Sequence, residues 1–142
     1  MAVISLTKAR KMISTIFRAG AEMGLKPLSV IVLDAGGNVK AFERQDGAAP
    51  GRFQIAEGKA HGAVMLGLGG TAQRDRAEAQ AYFIAAANGA YGGKLIPVPG
   101  GVLVKSVKGD ILGAIGVTGD SSENDLTVAM VGIEAVNLIG EG

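Results

Sequence analysis

The stretch Leu28-Ser-Val-Ile-Val-Leu-Asp34 restricts the fold more than any other part of the sequence. It is β-branched and almost wholly apolar instead of alternating, which is the pattern of a strand covered on both faces. Ala35-Gly36-Gly37-Asn38 then supplies turn chemistry, and a second strand-like run from Val39 to Arg44 completes a hairpin.

Helices are expected on either side of this hairpin in the sequence. Leu6, Ala9, Ile13, Ile16 and Met23 recur at helical spacing, and Gly24 and Pro27 supply a stop, which predicts a helix over Leu6 to Met23. A polar loop, Gln45 to Gly51, leads to a second helix from Phe53 to Met65 with its stripe at Phe53, Ala56, Ala60 and Val64. After a break at Gly67 to Gly70, Thr71 can cap a third helix that runs to Ala87 and closes at Asn88-Gly89.

The C-terminal part repeats the hairpin theme. Tyr91 to Gly101 reads as a long loop or short edge strand, since Pro97 and Pro99 forbid a central ladder. Val102 to Ser106 and Ile111 to Thr118 flank a turn at Val107-Lys-Gly-Asp110. Ser121 or Ser122 can cap a last helix with Asp125 in its first turn. Apolar residues from Leu126 to Ile139 surround that helix almost completely, so it needs burial on more than one side. The sum is an α/β sandwich around an antiparallel sheet.

Composition narrows the class. The 142 residues suit one domain spanning residues 1–142, and 48% hydrophobic against 19% charged residues argues against disorder. With 23 glycines and only 4% aromatics, small residues must fill the core, so burial per residue is modest and a homo-oligomer is expected to supplement it. The absence of cysteine excludes thiolate chemistry and Cys-ligated metals, and one histidine excludes a His-based metal triad within one chain. A net charge of +1 gives no electrostatic reason to expect a nucleic-acid partner, and no apolar run reaches membrane-spanning length. The opening Met-Ala-Val-Ile-Ser-Leu has no basic region ahead of it, so a cytoplasmic protein is expected.

Few residues could carry chemistry. His61 is the one side chain whose ordinary titration lies near neutrality, and it is a candidate for proton transfer or axial iron ligation. An exposed histidine paired with Glu57 is the plain alternative. Lys59 projects about 200° away from His61 on a helix, so the two should not share a pocket. Arg44 and Asp46, two positions apart at a strand end, could clamp a carboxylate and accept a proton; a simple Arg–Asp pair explains them equally well. Arg52 shares a helix face with Lys59 and could add charge to the same cleft. Gly100 and Gly101 could present amides to a carboxylate, or simply open a strand. Gly113, Gly116 and Gly119 lie within a strand and are read as close-packing positions. Tyr82, Tyr91 and the methionines could line an apolar pocket or ligate iron, although packing accounts for most of them.

Six short motifs, in order, carry a resemblance: Leu6-Thr-Lys-Ala-Arg10, Val32-Leu-Asp-Ala-Gly-Gly37, Ala41-Phe-Glu-Arg-Gln-Asp-Gly47, Gly58-Lys-Ala60, Pro99-Gly-Gly-Val102 and Gly113-Ala-Ile-Gly-Val-Thr-Gly119. Over nearly its whole length the chain resembles the GlcG/HbpS family of small haem-binding or haem-degrading proteins, a fold that also forms the C-terminal domain of PduO-type proteins. The resemblance implies a profilin-like three-layer α/β/α sandwich with a five-stranded antiparallel sheet, assembled as dimers to octamers. The fifth strand is expected at Leu95 to Val98. Recurrent polar positions of the family fall on Asp34, Arg44, Asp46 and Lys59, with Gly100 and Gly101 as a backbone turn. The implied function is haem binding, with oxidative haem breakdown or redox sensing. In that arrangement Arg44, Lys59 and the Gly100-Gly101 amides receive propionates, and His61 or a tyrosine meets iron. Two alternatives stand beside it. One is an enzyme of a small hydroxy- or oxo-acid, with Arg44 on the carboxylate and Asp46 or Lys59 moving a proton; the other is a non-catalytic accessory or assembly subunit.

Overall fold

A computed structural model describes residues 2–142. Its centre is a five-stranded antiparallel sheet in the order β2-β1-β4-β3-β5, built from β1 (Ser29–Asp34), β2 (Val39–Arg44), β3 (Gly101–Lys105), β4 (Ile111–Thr118) and β5 (Ile139–Glu141). Five helices complete the chain: α1 (Leu6–Glu22), α2 (Arg52–Leu66), α3 (Gly70–Ala79), α4 (Ala81–Ala90) and α5 (Ser122–Glu134). No helix among the described residues is long and apolar enough to cross a membrane.

The apolar stretch that begins at Leu28 is covered on both sides. Val30 and Val32 pack with Met12, Ile13 and Ile16 of α1 and Val128 and Ile133 of α5. Ile31 and Leu33, pointing the other way, pack with Ala56, Ala60 and Ala63 of α2. The result is α1 and α5, then the sheet, then α2: three layers with separate cores on the two sheet faces. Ser5 caps α1 by accepting from the Lys8 amide at 3.1 Å, and Ser121, not Ser122, caps α5 by accepting from the Asn124 amide at 3.2 Å.

Glycine sets the spacing of both helical layers. A Cβ on Gly132 of α5 would collide with Ile16 of α1. On the other face Gly101 and Gly116 are directly paired across β3 and β4, and the backbone of Lys59 and Ala56 occupies the space their side chains would take. Helix α2 therefore rests on the sheet backbone itself, and its own buried residues are alanines, glycines and Lys59.

Three expectations need correction. The third helix divides at Gln80, whose backbone (φ −143°, ψ 67°) leaves the helical region. Arg76 holds the break, donating to Gln80 Oε1 at 2.7 Å while its guanidinium lies 3.8 Å from the centre of the Phe83 ring. The fifth strand is β5, not Leu95 to Val98: the Ile96 amide donates at 3.1 Å to Gly58 O, so that segment runs along α2 instead of joining the sheet. Helix α5 ends at Glu134, well before Ile139, because Asn137 adopts φ 60° and turns the chain back along β3.

Candidate functional site

Most of the sequence-selected residues fall into three separate places. The first surrounds Lys59. Its position in α2 falls on the buried stripe, three residues from Ala56, and its Nζ donates to Val117 O at 2.9 Å and to Asp125 Oδ2 at 3.1 Å. Lys59 is 3% exposed and Asp125 1%. Gly100, at φ 109°, passes beside this pair; a Cβ there would strike Val117 O and the Lys59 ammonium. Lys59, Gly100 and Gly101 are thus brought together, but in a packed interior. Burial pushes the Lys59 ammonium down from the usual lysine value, and Asp125 counters this only in part. Burial likewise pushes the Asp125 carboxyl up against the pull of Lys59. Arg52 does share the Lys59 face, as the helix geometry required, and donates to Thr118 Oγ1 at 2.8 Å.

The second place holds Arg44 and Asp46. Both are exposed and line an open groove of about 520 Å³ together with Phe17, Leu25, Pro27 and Gln45. They do not pair with each other: Arg44 Nη1 donates to Ala48 O at 3.2 Å and pins the loop after β2. The expected convergence of Arg44, Lys59 and the Gly100 turn on one guest is therefore not the observed arrangement, since Arg44 lies on the edge strand and Lys59 is sealed beneath α2. Asp34, another recurrent polar position, organises the β1–β2 turn. Its Oδ1 accepts from the Gly36 and Asn38 amides, each at 2.9 Å. The Asn38 amide, first among these contacts, holds its carboxyl below the usual aspartate value.

The third place is built on His61. The ring is half-buried, on the side of α2 away from Lys59, and it does not pair with Glu57. Its Nδ1 lies 3.0 Å from Lys94 O, while Glu57 lies 3.8 Å from the Lys94 ammonium. A carbonyl oxygen only accepts, so Nδ1 carries a proton, and in the neutral ring Nε2 then holds the lone pair. Tyr91 stands edge-on to the imidazole, with ring centres 6.4 Å apart. Gly37 of the β1–β2 turn, at φ 82°, packs against the same cluster: a Cβ there would come within 3.0 Å of the Met65 methyl and 3.3 Å of the imidazole. Tyr82 lies elsewhere, 72% exposed on α4.

A haem would ask for an unprotonated imidazole nitrogen, apolar and aromatic neighbours for the ring, and a cation for a propionate. The His61 cluster supplies these groups: Nε2 as donor, Met65 and Tyr91 as neighbours, and as cation Lys94, whose ammonium Glu57 approaches at 3.8 Å. Neither the sealed Lys59 nor the open, polar Arg44 groove offers that set.

Sequence reasoning missed Asp125 as a buried partner. It lies four residues before Ala129 and eight before Ile133, squarely on the buried stripe of α5. A carboxylate at such a position signals a cation opposite, and Lys59 on the buried stripe of α2 carries the matching signal. Lys94 had no such mark, because only its backbone orients His61.

The sandwich defines a small three-layer α/β/α protein. The family described as "Haem degrading protein HbpS-like" matches residues 4–134, and the chain belongs to it. Among solved structures it is similar to HbpS (27% identity, TM-score 0.80, covering 96% of this chain and 92% of that one). It is also similar to the PduOC:heme complex (21%, TM-score 0.87, covering 99% and 100%) and to Klebsiella pneumoniae protein ORFY (23%, TM-score 0.85, covering 96% and 93%). Among curated proteins, none matches.

Proposed function

We propose that this protein binds haem, with His61 Nε2 as the axial ligand and Tyr91, Met65 and Lys94 around the macrocycle. One observation carries the reading: the 3.0 Å contact between His61 Nδ1 and Lys94 O fixes the tautomer that leaves Nε2 ready to ligate. Membership of the HbpS-like family and similarity to a protein solved with heme support it. Bound haem would supply redox chemistry at iron; the chain orients the imidazole through Lys94 O and gives a propionate the Lys94 ammonium. Titration of the protein with haemin should give a saturable Soret change at one equivalent per chain, and Lys94→Glu should weaken it. A drift without saturation contradicts the reading.

Oxidative haem breakdown or redox sensing is the finer form of this reading. Loss of the Soret band under ascorbate and oxygen, faster than for free haemin, tests the first. Self-association belongs to the same proposal, supported by a core of small side chains that buries little area per residue. A monomer in light scattering contradicts that part.

A further inference from the structure

Ser29 is fully buried at the start of β1, and its hydroxyl oxygen has no hydrogen-bond partner. A buried hydroxyl left unpaired costs about 1–3 kcal/mol, so its surroundings are informative. The strand register sets Ser29 opposite Arg44 of β2 on one side and Thr118 of β4 on the other. Opposed residues of antiparallel strands project from the same face, so Arg44, Ser29 and Thr118 form one row across three strands. Ile31 and Leu33, on the same face of β1, pack against α2, which puts the row beneath that helix.

The first turn of α2 stands over the row, because Arg52 Nη1 reaches Thr118 Oγ1 at 2.8 Å. Its N-cap, Gly51, offers no capping side chain, and its first turn has no acidic residue. Among the described residues neither Arg44 nor Arg52 makes an ion pair; Arg44 donates to Ala48 O and Arg52 to the Thr118 hydroxyl. The Arg52 guanidinium, the Thr118 hydroxyl and an uncapped helix start therefore meet at one place, and the unpartnered Ser29 hydroxyl stands next to Thr118 in the same row; the Arg44 guanidinium is turned to Ala48 O.

We propose that this row binds a small carboxylate. An ionised carboxylate accepts at about four lone-pair positions, which the Arg52 guanidinium, the Ser29 and Thr118 hydroxyls and the first amides of α2 can address together. Adjacent strands are ~4.8 Å apart, so the donors span a small acid and not a macrocycle. The site is distinct from the His61 cluster: Arg52 and His61 are separated by about 13 Å along α2 and project on opposite sides of it, at ~1.5 Å and ~100° per residue.

The test is titration of the isotope-labelled full chain with acetate, and in parallel with inorganic phosphate at matched ionic strength, followed by amide resonances. Acetate should produce saturable shifts at Ser29, Gly51, Arg52 and Thr118. Ser29→Ala should bind about tenfold more weakly, as expected for one hydrogen bond to a charged group, and Arg52→Gln should abolish saturation. Since Ser29→Ala removes an unpaired hydroxyl, its melting temperature should not fall. The proposal is overturned by the absence of saturable shifts, by unchanged binding in Ser29→Ala, by a lowered melting temperature of that variant, or by tighter binding of phosphate than of acetate. Haemin binding by Ser29→Ala should equal that of the parent protein; its loss would assign the row to the haem site and overturn the separate site proposed.

Discussion

The Lys59 ammonium on α2 lies 3.1 Å from the Asp125 carboxylate on α5, so one buried ion pair joins helices that cover opposite faces of the sheet. The link passes Gly100, where a side chain would intrude. Such a pair is expensive to break because the surviving charge stays buried without a partner.

Asp125→Ala or Lys59→Met should each lower stability by about 3–5 kcal/mol. The double variant Lys59→Met/Asp125→Leu should cost clearly less than the sum of the two. Urea unfolding of the three variants measures this; additive losses would show that the two groups do not act as a pair.

Helix α2 lies directly on Gly101 and Gly116, with Lys59 and Ala56 backbone in the way of any Cβ. Gly116→Ala should therefore cost more than the ~1–3 kcal/mol of ordinary overpacking, because backbone and not a flexible side chain must move. Gly109→Ala, at a turn with open space but φ 96°, gives a strain-only comparison and should cost less. Equal melting temperatures for the two variants would contradict this packing.

Asp120 is held at about 2, below the ordinary 3.8, by the Asn124 side chain first and then by the Lys26 and Ser121 amides. A depressed carboxyl stabilises the folded state above its unfolded value, and that contribution disappears as pH falls from about 4 towards 2. Asp34 adds to the same acid-side loss, since its pKa is lowered as well. Unfolding free energy should fall across this window, and Asp120→Asn should flatten the slope. An unchanged slope would remove Asp120 from the account.

Much of the architecture is written in local patterns. Two-sided burial of β1 follows from its unbroken apolar run, and α1 from its clear stripe. What escaped depended on single residues with tertiary consequences. Asn137 ends α5 and releases Ile139 to a sheet edge, although Ile139 continues the apolar face of a helix. The Leu95 to Val98 segment has strand-like composition, yet the gap left by Gly58 and Gly62 on α2 receives Ile96 and Leu95. The site was less legible than the fold. Arg44 and Lys59 could be picked out as charged residues, but their separation depends on Lys59 lying on a buried stripe opposite an acid more than sixty positions away. His61 stood out as the lone histidine; its tautomer is set by a backbone carbonyl that carries no side-chain signature.

The central claim is that His61 Nε2 ligates haem iron, and the direct measurement is the absorption spectrum of haemin bound to His61→Ala, with and without added imidazole. The account predicts loss of the parent Soret position in the variant and its recovery when imidazole fills the vacated space beside Tyr91. A variant spectrum identical to that of the parent protein, before any imidazole is added, would contradict it.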